Sequence, residues 1–236
     1  MNRTILSLIG AVFVTAQTAS AQQVNDISTE LELGGIITTG NTEDENIKYR
    51  VTVDWDRTDW EYRITSEGFR SSKSDELAAQ RLYHVASANY NFSDDSFVLA
   101  RLAYEDDRFS GYDSQSDFSL SYGRNFLNNI PNMELSSEIG LGIRRSVTET
   151  DEFDEGIVRV AGNYEWGLSE SATFIQRLTA EAGDETTIYR SETAIETQIV
   201  ENWLLKLSYN VKHQTDVPPT REKTDTVTAV TLVLSF

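Results

Sequence analysis

Cysteine is absent from all 236 residues, so no disulfide framework, thiolate metal site or thiol nucleophile is available. Basic residues are scarce beside acidic ones, 20 Lys and Arg against 38 Asp and Glu, for a formal charge of −18. So negative a surface repels nucleic acid, which excludes that partner. Past the N-terminus no apolar run reaches eighteen residues, so the chain offers no transmembrane helix. A mean hydropathy of −0.40 still leaves a membrane open, because a β-barrel carries its apolar residues at every second position and averages out as polar.

The first 21 residues read as a secretory signal. Arg3 gives a positive start, Ile5 to Val14 an apolar stretch too short to span a bilayer, and Ala19-Ser20-Ala21 a small-x-small cleavage site. The competing reading is a short buried N-terminal helix, against which the small, polar segment after Val14 speaks. Two units follow: residues 1–21 as signal peptide and 22–236 as the exported domain.

Past residue 26 the chain alternates strictly between apolar and polar positions, the period of a strand with one greasy and one wet face. Ile47, Tyr49, Val51, Val53 and Trp55 alternate with Lys48, Arg50, Thr52 and Asp54; Leu135, Ile139, Leu141 and Ile143 oppose Glu134, Ser136, Glu138 and Arg144. Twelve such segments are expected, at 27–38, 45–56, 60–70, 80–92, 96–106, 115–126, 133–144, 155–166, 171–182, 187–199, 203–212 and 224–236. Each is near the roughly 9 to 11 residues of a tilted membrane-spanning strand. Short connections alternate with longer polar ones, and an even count returns both ends to one side. The fold class expected is all-β: a transmembrane, up-and-down antiparallel β-barrel of about 12 strands.

Aromatic placement separates this from a soluble β-sandwich, which would keep its tryptophans in the core. Trp55, Trp60, Trp166 and Trp203 all sit beside short connections, as do Tyr90, Phe92 and Phe126. All seven fall on the apolar face, a girdle at one membrane boundary where a flat ring and a polar N–H or O–H are both satisfied. The last strand aligns Val230, Leu232, Leu234 and a terminal Phe236 on one face. That ending resembles the C-terminal signature of bacterial outer-membrane barrels, which implies the barrel-assembly machinery as a partner and a cell outer membrane location in a Gram-negative-type envelope. The alternative, a soluble edge strand, would leave a flat apolar edge unprotected.

The opening Leu33-Gly34-Gly35-Ile36-Ile37-Thr38-Thr39-Gly40-Asn41-Thr42 resembles that of a YdiY-like family of outer-membrane proteins described as salt-induced, a domain of unknown function. The resemblance extends over nearly the whole exported part. It implies a barrel with no established catalytic residues and a link to osmotic or salt stress. Catalysis has little to stand on. His84 is followed two positions on by Ala86 and His213 by Thr215, so neither of the two histidines supplies the His-x-Ser pair of a lipid-acting barrel hydrolase. The expectation is no enzyme and no cofactor.

Function is then expected on the inward face. Lys48, Arg50, Arg63, Arg81, Arg101, Arg144, Arg159, Arg177 and Arg190 point there among carboxylates that include Glu134, Glu138 and Glu192. Twelve strands lie between eight, where side chains fill the lumen, and roughly 16 to 18, where water does. Two readings follow: a narrow passive pore for ions or small polar solutes with Arg and Glu rings setting selectivity, or a closed structural or adhesive barrel locked by ion pairs. The near balance of signs favours the second. Acidic loops at Thr42 to Glu45, Glu105 to Asp107 and Thr148 to Glu155 are hard oxygen donors for weak divalent-cation binding, but none has EF-hand spacing, so no metal site is assigned. Outer-membrane lipid is the remaining expected partner.

Overall fold

Alternation at period two forces each of these segments to bury one face and expose the other. The structure, a computed structural model, describes residues 26–39, 45–73, 76–107, 111–127, 129–148, 151–217 and 221–236. The expected signal peptide, the Gly40-Asn41-Thr42 loop, Glu43, Asp44 and Glu149 lie outside them.

Twelve strands are present: β1 (Asp26–Thr39), β2 (Glu45–Asp56), β3 (Trp60–Lys73), β4 (Glu76–Ser93), β5 (Ser96–Asp107), β6 (Tyr112–Phe126), β7 (Met133–Val147), β8 (Glu152–Gly167), β9 (Ala172–Gly183), β10 (Thr187–Val200), β11 (Trp203–Gln214) and β12 (Thr224–Ser235). Each pairs antiparallel with its neighbours in sequence, and β1 pairs with β12 to close the barrel. Closure leaves no open sheet edge, which is what lets a β-structure sit in an apolar medium.

The barrel is inverted relative to a soluble protein. Leu141 is 70% exposed and Ile143 66%, while Arg144, Lys206 and Glu32 are among the most completely buried side chains. Register carries the alternation from strand to strand: Leu120 lies opposite Leu141, and Leu141 opposite Val158, so one apolar band runs round the outside. The two ends differ. The end holding Asp26 and Phe236, the near end, has compact turns in which Leu127, Asn132 and Glu201 take positive φ values of 64°, 62° and 41°. The far-end connections are less extended than the sequence predicts, because β3, β4, β7 and β8 run past the apolar band before they turn.

The closing seam depends on one glycine. A Cβ on Gly34 would sit 2.2 Å from the Val230 carbonyl oxygen and 2.6 Å from Thr231 Cα, a distance at which backbone would have to move. Replacing Gly34 by valine is therefore expected to stop β1 from docking on β12. On a gel the folded barrel should migrate faster unheated than boiled, and the variant should lose that shift; a retained shift would show that the seam absorbs a side chain.

Candidate functional site

The inward face of each strand is every second residue, and in a barrel of this size long side chains from opposite walls meet. Glu105 and Asp107 on β5 both accept from the Lys212 ammonium on β11, at 2.9 Å each. In the closed order these strands stand six places apart, on opposite sides of the barrel. Glu105 also accepts from Arg190 Nη2 on β10 at 2.7 Å. Arg50 on β2 reaches Glu192 on β10 at 3.0 Å. The lumen is thus bridged directly by ion pairs.

These bridges belong to one continuous belt. Arg50 donates to Glu67 at 2.5 Å and Arg81 donates to the other oxygen of Glu67 at 2.8 Å. Lys206 lies 3.4 Å from Glu32, 3.2 Å from Glu192 and 3.3 Å from Glu196, and Lys48 lies 3.8 Å from Glu32. Arg190 donates to Glu181 at 2.8 Å, and Arg101 lies 3.5 Å from the other Glu181 oxygen while donating to Asp117 and to the Tyr83 hydroxyl. Arg159 joins at 3.7 Å from Glu181 and donates to Glu138, and Arg177 links Glu192 at 3.0 Å to Glu165 at 3.2 Å. Apart from these, Arg144 is 1% exposed and held by Glu155 at 2.9 Å and the Thr186 carbonyl at 2.7 Å. Burying charge is costly unless each ion finds partners, and a belt in which Glu32, Glu67, Glu105, Glu181 and Glu192 each serve two or three cations meets that condition.

Ten of the twelve inward residues singled out from sequence, all but Arg63 and Glu134, therefore lie in ion pairs, nine of them deep in the lumen and Arg177, 36% exposed, towards the near end. Arg63 lies at the near end, largely exposed, and pairs with Asp54 at 2.5 Å. Glu134 is exposed there opposite Glu165 and has no ion pair among the described residues. Sequence reasoning missed Glu105, Asp107 and Glu155, which it assigned to acidic outer loops. Glu105 and Asp107 are each 4% exposed and Glu155 is 7% exposed; their carboxylates lie on strands and face inward to Lys212, Arg190 and Arg144. The usable signal was the unbroken alternation past Arg101 through Ala103, Glu105 and Asp107. Apolar residues also point inward: Phe97, Leu99, Ile157, Ile175, Ile188 and Val233 are buried there, so the lumen is not uniformly wet.

The near-end mouth is acidic. Glu30, Asp54, Glu61, Glu134 and Glu165 take inward register positions there, with Arg63 and Arg177 the cations among them. The seven aromatic residues Trp55, Trp60, Tyr90, Phe92, Phe126, Trp166 and Trp203 lie on the outside of that same end, 37% to 51% exposed. Trp60 stacks on Tyr62 at 5.9 Å and tilts against Tyr90 at 5.0 Å. Val230, Leu232 and Leu234 face outward on β12, and Phe236 exchanges backbone hydrogen bonds with Thr29 at 2.7 and 2.9 Å. Both histidines sit on the outer face. His84 lies directly across from Ser66, with no hydrogen bond between them among the described residues, and His213 Nδ1 meets Thr224 Oγ1 at 2.7 Å.

Known proteins fit this geometry. The solved NanC porin is similar in fold, with a TM-score of 0.60 at 10% identity over 86% of this chain and 98% of that one. The KdgM porin follows with a TM-score of 0.51 at 14% identity, over 88% and 99%. Identities this low speak to fold alone, and the fold they share is the porin-like barrel. The uncharacterized protein YdiY of Escherichia coli (strain K12) is 24% identical over 245 residues, covering 98% of this chain and 96% of its own. The profile of the family described as "Protein of unknown function, DUF481" matches residues 31–236, and the chain belongs to that family.

Proposed function

We propose that this chain is an outer-membrane barrel forming a narrow, cation-preferring passage for ions and the smallest polar solutes. The observation that carries the reading is the acidic near-end mouth leading to a lumen already constricted by ion pairs. Fixed carboxylates concentrate cations and repel anions, and low-dielectric walls strengthen the effect. The inverted exterior supports the membrane setting, since a band of exposed Leu, Ile and Val is stable only against acyl chains. In that setting the near end faces the periplasm, the aromatic ring rests at the inner boundary, and the strand ending in Phe236 is what the assembly machinery would engage.

Single-channel recording in a planar bilayer under a potassium chloride gradient tests this. Small discrete steps whose reversal potential favours potassium are expected; a chloride preference would overturn the role given to the carboxylates. The Lys212 bridge to Glu105 and Asp107 favours a second reading, a closed structural barrel. That reading prevails if vesicle-inserted protein gives no steps at any voltage.

A further inference from the structure

Side-chain volume is unevenly distributed over the outer face. On β8 to β10 small residues stand among larger ones: Gly162 lies opposite Leu178, Ala180 between Val160 and Tyr189, and Ser191 between Leu178 and Val211. The missing volume leaves a groove of about 440 Å³ on the outside of the barrel, floored by Gly162, Ala180 and Ser191, walled by Leu178 and Tyr189, and ending at His213. It runs over the far half of β9, β10 and β11 and the middle of β8. The Tyr189 and His213 rings stand 6.1 Å apart at its far end. Just beyond, Arg221 and Lys223 are exposed on the loop before β12, with Glu222 between them, and Lys223 donates to the Thr215 carbonyl. Two cations and an imidazole there stand out in a chain of charge −18.

An apolar trench with one cationic end matches an amphiphile. We propose that the groove holds one acyl chain of a phosphate-bearing lipid, with methylenes over Gly162 and Ala180 and the headgroup phosphate beside His213. His213 Nδ1 is engaged by Thr224 Oγ1 at 2.7 Å, which leaves Nε2 for the phosphate. The inference rests on the membrane reading above. A second copy of this barrel is the poorer occupant, because its own outer wall is convex and filling a narrow trench takes a flexible chain of methylene width.

The test uses full-length mature barrel refolded from denaturant, and so stripped of native lipid, in a neutral detergent. Native mass spectrometry follows retention of added phosphatidylglycerol or uncharged diacylglycerol. One phosphatidylglycerol per barrel is expected. Ala180→Leu should lower its retention at least tenfold, and His213→Ala should weaken phosphatidylglycerol while leaving diacylglycerol unchanged. Equal retention by wild type and Ala180→Leu would overturn the site, as would a wild-type dimer that Ala180→Leu dissolves, which would assign the groove to a second copy. Both substitutions lie on the outer face, so heat-modifiable migration confirms folding, and His213→Ala gives an independent arm. A chain that never inserts into vesicles refutes the membrane reading; one that inserts but holds no lipid refutes this site alone.

Discussion

Glu105→Gln lowers the stability of the folded barrel by about 3 kcal/mol, the low end of the range for breaking a buried ion pair. The carboxylate is 4% exposed and holds Lys212 at 2.9 Å and Arg190 at 2.7 Å, with Arg81 at 3.8 Å. Neutralising it removes one charge from the middle of three cations that belong to β4, β10 and β11. The loss stops at the low end because Lys212 keeps Asp107 and Arg190 keeps Glu181. Urea titration in lipid vesicles, read from the tryptophans of the near end, measures it. The matched control is Glu152→Gln, which breaks a pair with Arg145 whose side chains are 55% and 49% exposed; exposed pairs contribute less than about 1 kcal/mol. Equal shifts for the two variants would mean that the belt is solvated and that the lumen stands open.

Leu141→Arg should cost about 2–4 kcal/mol, the penalty for a cation facing lipid at mid-membrane depth. Leu141 is 70% exposed near the middle of β7. On a water-soluble protein, arginine at so exposed a site would be close to neutral. Refolding yield into vesicles and the urea midpoint both report the difference. An unchanged midpoint would show that the apolar band faces water or another protein surface, and the membrane assignment would fall with it.

The architecture was legible because two independent patterns coincide: alternation gave the strands and their faces, and the position of Trp55, Trp60, Trp166 and Trp203 gave one end of the barrel. Strand ends at the other side were harder. Alternation is visible only where one face is apolar, so β7 was expected to stop at Arg144 although its ladder continues to Val147 opposite Glu152. Beyond the apolar band both faces are polar, and hydrogen bonding continues without a pattern in composition. The same blindness put Glu155 into a loop; at Glu105 and Asp107 the alternation persists, and the run of three acidic residues was read over it. Which cation meets which carboxylate was not legible either, since Lys212 and Glu105 are 107 positions apart and only closure of the barrel brings them together. Near balance in the list of inward charges suggested a closed plug; among the described residues the structure adds Glu105, Asp107, Asp117 and Glu155 to the acidic side and Lys212 to the basic one.

The seam between β1 and β12 also fixes an order of events in time. Every other pairing joins strands adjacent in the chain, whereas Glu30 meets Ser235 and Leu33 meets Leu232 from opposite ends of the sequence. Hairpins can form and accrete as soon as each is made, but the seam must wait for β12, and its loop-closure entropy is the largest of all twelve junctions. Until then two unsatisfied edges travel with the growing sheet, so the interval between emergence of β1 and arrival of β12 is the period in which this chain is most exposed to pairing with the wrong partner.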